Sequence, residues 1–171
     1  MKKLFVLTLI TTFLTGATAF AQQDKSKRAS PPAKVTQTIK SGAVVSIDYS
    51  KPSVKGRKIG TELAPFGKVW RTGANEATIF EVSKNVTIEG KALPAGKYGL
   101  YTIPGENEWT IIFNKTWDQW GTKYEEAADQ LRVSVKPEKA DKFAEQLTFT
   151  ISKSGEVEMS WGDTEIEFDV K

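Results

Sequence analysis

Gln146-Leu147-Thr148-Phe149-Thr150-Ile151, a break at Lys153-Ser154-Gly155, and then Val157-Glu158-Met159-Ser160-Trp161 decide the class of this chain. Apolar and polar residues take strict turns across both runs, which is the period of a half-buried β-strand and not of a helix. Leu147, Phe149 and Ile151 face one way with Val157, Met159 and Trp161, so the two runs predict a hairpin with one buried face. Further on, Ile166, Phe168 and Val170 alternate with Glu165, Glu167 and Asp169. Gly162-Asp163 between them reads as a two-residue hairpin loop. The charged outer face argues against another sheet stacked upon it.

Upstream, the same period recurs at short intervals. Leu131, Val133 and Val135 alternate with Arg132, Ser134 and Lys136, and Pro137 to Ala144 reads as a loop or one turn of helix. Lys97 to Ile103 is apolar on both faces, the mark of a central strand, and Pro104-Gly105 turns it into Trp109, Ile111 and Phe113. Val86 and Ile88 lead to Glu89-Gly90. Ala43, Val45, Ile47 and Tyr49 follow Val35, Gln37 and Ile39 across Lys40-Ser41-Gly42, a further hairpin. From Asn114 to Gln130 the pattern changes: Trp117, Trp120 and Tyr124 stand three or four apart, and Thr122 with Glu125 matches a capping box, predicting a short helix or two turns. The whole predicts an all-β fold, a single antiparallel β-sandwich of about ten short strands with one short helix, with a β-barrel as the alternative. Residues 34–171 are long enough for one domain with a substantial core.

The start of the chain has a different character. Met1-Lys2-Lys3, the apolar run Leu4 to Leu14 and the sequence Ala19-Phe20-Ala21 have the three parts of a secretory signal peptide, residues 1–21, with cleavage expected before Gln22. The apolar run is about 11 residues against the ~20 a membrane-spanning helix needs. Residues 22–33 are polar and end in Ser30-Pro31-Pro32, too poor in apolar surface to offset the entropy of ordering, and read as a flexible leader. The expected location is periplasmic or extracellular. Formal charge is +3, but Lys2, Lys3, Lys25, Lys27, Arg28 and Lys34 lie in or beside these two segments, so the domain itself is close to neutral. Its basicity is no argument for nucleic acid.

One stretch looks like a site. Val69-Trp70-Arg71-Thr72-Gly73-Ala74-Asn75-Glu76-Ala77-Thr78 brings an aromatic, a guanidinium, an amide and a carboxylate together around a glycine, just before a strand beginning near Ala77. Arg71 and Glu76 stand on either side of the bend, and two readings use them. In one, an Arg71–Glu76 pair pins the bend under Trp70; in the other, the planar guanidinium faces a ligand. The loop Lys51 to Lys58 delivers Arg57 nearby if its ends are close in space. Trp117, Trp120 and Tyr124 either offer an exposed platform for a flat ligand such as a sugar ring or plug the open end of the sandwich. The candidate binding residues are therefore Arg57, Trp70, Arg71, Asn75, Glu76 and Trp120.

The combination of Ile47-Asp48-Tyr49-Ser50-Lys51-Pro52-Ser53-Val54-Lys55-Gly56-Arg57, Pro65-Phe66-Gly67, the stretch Val69 to Thr78, Leu93-Pro94-Ala95-Gly96-Lys97-Tyr98, Trp120-Gly121 and Asp129 to Val133 resembles the domain-of-unknown-function family 2911, found in exported proteins of Gram-negative bacteria. The resemblance covers about Ser30 to Val170. It implies export and a β-rich domain, and carries no catalytic or binding residues across.

Absences narrow the chemistry. The chain has no histidine and no cysteine, which removes Ser-His-Asp and Cys-His nucleophiles, thiolate redox chemistry and the usual zinc, copper and haem ligand sets. No phosphate-cradling glycine loop and no calcium loop of the hand type is present. No cofactor and no metal are expected. The leading reading is a non-catalytic binding module of the cell envelope for a polar, anionic or carbohydrate ligand. A structural or protein-interaction domain with an envelope protein as partner is the alternative, and a hydrolase using Glu76 with Asp48 or Asp118 stands third.

Overall fold

The computed structural model describes residues 24–171; the signal-peptide reading of residues 1–21 lies outside them. Ten strands are present: β1 (Pro32–Thr38), β2 (Val44–Ser50), β3 (Thr78–Val82), β4 (Val86–Ile88), β5 (Lys91–Leu93), β6 (Gly96–Ile103), β7 (Trp109–Asn114), β8 (Asp129–Val135), β9 (Glu138–Ile151) and β10 (Glu156–Asp169). Six of them form one sheet in the order β1-β2-β3-β6-β7-β8. Every neighbouring pair is antiparallel. The apolar-on-both-faces run at β6 sits inside this sheet, between β3 and β7, as its pattern predicts.

The β9–β10 hairpin is the heart of the opposing layer. The β4–β5 hairpin clips to its end, where Thr87 N–H donates to the Lys171 carbonyl at 2.6 Å and Lys171 N–H returns to Thr87 at 3.0 Å. On the other side, Leu147 N–H donates to Pro52 and Val54 N–H to Glu145, so the loop after β2 lies along β9. Neither layer closes into a barrel. Both free edges of the hairpin are thus partly covered, which limits the unpaired strand surface that could recruit other chains.

Packing explains the alternation read from sequence. Val45, Ile47, Phe80, Leu100, Ile111, Phe113 and Val133 on the large sheet meet Leu147, Phe149, Val157, Met159, Ile166 and Phe168 on the hairpin, all buried in one core. Phe80, Phe113 and Phe168 touch edge to face or tilted, with ring centres 5.0–6.1 Å apart. Burying each such side chain contributes roughly 1.5–3 kcal/mol. Trp70 crosses the layers, stacked on Trp161 at 5.0 Å and edge-on to Trp109 at 6.4 Å.

Two elements differ from expectation. Gly162-Asp163 is not a hairpin loop: β10 runs unbroken from Glu156 to Asp169, and Pro137 to Ala144 belongs largely to β9 instead of a loop or helical turn. The register shifts on both sides of Gly162, so β-bulges bend the long ribbon where a chain break was read. The 114–130 connection forms no α-helix. Its one regular turn is a 3₁₀ turn at Glu126–Ala128, preceded by Glu125, whose side chain makes no cap bond. No helix among the described residues is long and apolar enough to cross a membrane.

Candidate functional site

That 114–130 connection folds back over the outer face of the large sheet. Tyr101, Ile112 and Ala77 form a small second core there, with Ile103 and Tyr124 packed against it. Gly99 makes the approach feasible: a Cβ there would lie 2.7 Å from the Thr116 carbonyl oxygen. The connection is held by polar groups as well. Tyr124 O–H donates to Asp129 at 2.7 Å, Arg132 Nε donates to the same carboxylate oxygen at 2.7 Å, and the buried Asn114 amide donates to its other oxygen at 2.7 Å. Burial, followed by the hydrogen bond to Asp129, pushes the Tyr124 hydroxyl up to about 12, so it stays a neutral donor.

Beside this connection runs the stretch 69–78. Trp70 exchanges backbone hydrogen bonds with Thr102, at 2.7 and 2.9 Å, which continues the pairing on the β3 side of β6 beyond the Thr78–Leu100 pair. Thr72 and Asn75 both adopt left-handed backbone conformations, φ 51° and 62°, and these turn the chain sharply. Thr78 O–H ties the bend to the Thr72 carbonyl at 2.8 Å. Left-handed backbone costs a β-branched residue of order 1–3 kcal/mol and is concentrated at sites and switches. After the bend, Ala77 N–H donates to Gln119 and Gly121 N–H to Asn75, so residues 75–77 pair with 119–121.

The expected Arg71–Glu76 pair does not form. The bend at Asn75 sends the two side chains into different clefts. Arg71 Nη1 donates to the Asn75 carbonyl at 3.2 Å, and its guanidinium carbon lies 6.0 Å from the centre of the Trp120 ring. Among the described residues it has no carboxylate within ion-pair distance. Its stem rests on Gly121, where a Cβ would collide with Arg71 Cδ and sit 2.9 Å from Arg71 Cβ. Glu76 is instead held by Arg28 Nη1, at 2.7 and 3.0 Å to its two oxygens, and by Lys25 Nζ at 3.1 Å. Burial alone would raise the Glu76 carboxyl, but these bonds and one from its own backbone N–H outweigh it and hold it down to about 2.

The six candidate residues therefore divide. Trp70 is mostly core, with one face given to Trp161. Arg57 spends two of its donors on the Ser53 and Val54 carbonyls, at 2.8 and 3.1 Å, and lies on the loop along β9, lining a cleft with Phe143 and Asp163. It is not brought to Arg71. Asn75 donates to Ser50 Oγ and to the Ser30 carbonyl, each at 3.2 Å. Arg71 lines a cleft of about 370 Å³ together with Val69, Trp70, Gly121, Thr122 and Tyr124, and the 48 %-exposed Trp120 stands beside it, with its ring centre 6.0 Å from the Arg71 guanidinium carbon. On the other side of the 75–77/119–121 pairing, Glu76 joins Asp48, Asp118, Trp117, Lys25 and Arg28 around a second cleft of about 310 Å³. Sequence reading missed Lys25 and Arg28 as partners of Glu76; no local spacing marks a contact spanning 48 residues.

Among the described residues no group of three or more His, Cys, Asp or Glu could hold a metal ion. A carboxyl held down to about 2 stays ionised near neutral pH, so in an acid–base pair Glu76 would be the base or nucleophile and not the acid.

Residues 30–170 match the family described as "Protein of unknown function (DUF2911)". The chain belongs to the DUF2911 family. That span takes in all ten strands of the DUF2911 fold, the Arg71 cleft, the whole of the Trp70–Trp120 neighbourhood and the Asp48, Glu76 and Asp118 side of the second cleft, but begins after Lys25 and Arg28. No curated protein and no solved structure matches the chain.

Proposed function

We propose that this DUF2911 domain is a non-catalytic binding module of the cell envelope, exported by the signal peptide read in residues 1–21, which takes an anionic, polyhydroxylated ligand such as an acidic sugar at the Arg71–Trp120 cleft. One observation carries this: Arg71 is a half-buried guanidinium with one hydrogen bond of 3.2 Å and no carboxylate partner among the described residues. A guanidinium taken partly out of water keeps a strong preference for a planar two-oxygen acceptor, and a ligand carboxylate supplies one. The exposed Trp120 ring beside it offers the flat surface on which a sugar face packs. The Thr122 and Tyr124 side of the cleft adds hydroxyl-bearing side chains next to the same guanidinium.

The test is titration with glucuronate, and with glucose as the uncharged control, followed by tryptophan fluorescence and thermal melting. Saturable binding of glucuronate, weakened at least tenfold by Arg71→Met and by Trp120→Ala, supports the reading. Glucuronate and glucose behaving alike, or binding indifferent to both substitutions, removes it.

A further inference from the structure

The second cleft carries an asymmetry of charge. Its three lining carboxylates, Asp48, Glu76 and Asp118, all come from the body of the domain, whereas its two lining cations, Lys25 and Arg28, come from the run 24–31 that precedes β1. That run buries none of its residues fully. It is held instead from outside: Arg28 and Lys25 on Glu76, the Asn75 amide on the Ser30 carbonyl at 3.2 Å, and Lys51 N–H on the Pro31 carbonyl at 2.9 Å. Side-chain charge is read by a carboxylate, and main-chain carbonyls are read by donors of the domain. This is how a groove recognises a basic peptide.

We propose that the Glu76 cleft is a docking groove for a short Arg/Lys-containing segment of a partner protein, and that residues 24–31, in which Lys25–Lys27 form a 3₁₀ turn capped by Asp24, are its resident occupant in the free chain. The run is joined to the domain covalently, so a partner competes against a tethered segment whose local concentration is high. Its hold is nonetheless loose, because ion pairs open to water are weak and screened by salt. Release uncovers Glu76 beside Asp48 and Asp118, and the partner's guanidinium takes the place of Arg28. Trp117, on the rim, lies against the incoming segment.

The experiment uses the full chain, wild type beside Lys25→Gln/Arg28→Gln, and as probe the capped synthetic peptide Asp-Lys-Ser-Lys-Arg-Ala-Ser-Pro, the sequence of residues 24–31. The indole N–H signal of Trp117, assigned through Trp117→Phe, reports occupancy by NMR at low salt. Saturable binding at least tenfold tighter to the double variant than to wild type is expected. Adding Glu76→Gln to the double variant should weaken it at least tenfold, and a peptide with Gln in place of Lys and Arg should not bind. No saturable shift in a double variant that melts cooperatively overturns the proposal, as does binding that survives Glu76→Gln. A double variant or wild type that dimerises by exchanging the run assigns the groove to a second copy and overturns the partner assignment. Should the double variant fail to fold, Arg28→Lys replaces it, with the same requirement that Glu76→Gln abolish the gain.

Discussion

Arg71 and Glu76 sit five positions apart, and their environments assign them different work. Because Arg71 has no carboxylate partner among the described residues, Arg71→Met strands no buried charge; it loses packing on Gly121, the 3.2 Å bond to the Asn75 carbonyl, which Gly121 N–H still satisfies, and the contact with Trp120, about 0.5–1 kcal/mol for a cation–π pair near the surface. Thermal melting should therefore place this variant within a few degrees of wild type. Gly121→Ala should cost more, about 1–3 kcal/mol by urea unfolding, since the new methyl meets Arg71 close to its backbone where the side chain cannot swing away. The residue types at this site were legible in sequence: an Arg, a Trp and a Glu around a glycine. Their partners were not. Two left-handed residues, Thr72 and Asn75, set the directions of the side chains; Gly73 between them marked a bend, but nothing marked these two positions as left-handed.

At the level of elements, strict alternation was a faithful guide wherever strands are regular, as in Leu147–Ile151 and Val157–Trp161, whose apolar residues are all buried. It failed where β9 and β10 carry bulges. Gly162, at φ 61° and with space for a Cβ limited by Ile59 Cδ1 at 2.9 Å, looks like a turn glycine but serves a bend within a continuous strand. The extra residues of β9 interrupt its period of two, so Pro137–Ala144 did not read as strand. Gly155 is a different case, a true turn glycine: φ is 99°, and a Cβ would run into the Val170 carbonyl oxygen, which also places the chain end against the turn. Gly155→Ala should lower stability by about 2 kcal/mol or more, strain of this kind costing roughly 1–3 kcal/mol before any lost contact. Chemical denaturation with an unchanged slope would confirm that the native state alone is affected.

Across the molecule, the carboxylates act in opposite directions. On β10, burial together with Glu156, Glu165, Glu138 and Glu158 pushes the Glu167 carboxyl above its ordinary 4.5, and burial with Glu158 and Asp141 does the same to Glu165. Raised carboxyls cost stability while ionised, and the cost is relieved as pH falls toward 4.5. Glu76, held near 2, contributes stability that is whole above 4.5 and is lost as pH drops from 4.5 toward 2. Melting temperature should thus rise modestly from neutral to mildly acid pH and fall below 4.5. Glu167→Gln should flatten the rise, and Arg28→Gln the fall.

The tryptophan arrangement gives the fold an optical signature. Trp70 and Trp161 lie with planes 8° apart and centres at 5.0 Å, while Trp109 meets Trp70 edge-on. Indoles this close couple their excited states, and wherever their transition moments are skewed, as crossed ring planes such as Trp70 and Trp109 at 82° favour, the ultraviolet bands split into a circular-dichroism couplet that separate indoles lack. Trp109 belongs to one layer, Trp161 to the other, and Trp70 to the stretch that leads to Arg71. Loss of the couplet therefore reports the parting of the two layers without a label, and its persistence under partial denaturation would mark the sandwich as the last part of the chain to melt.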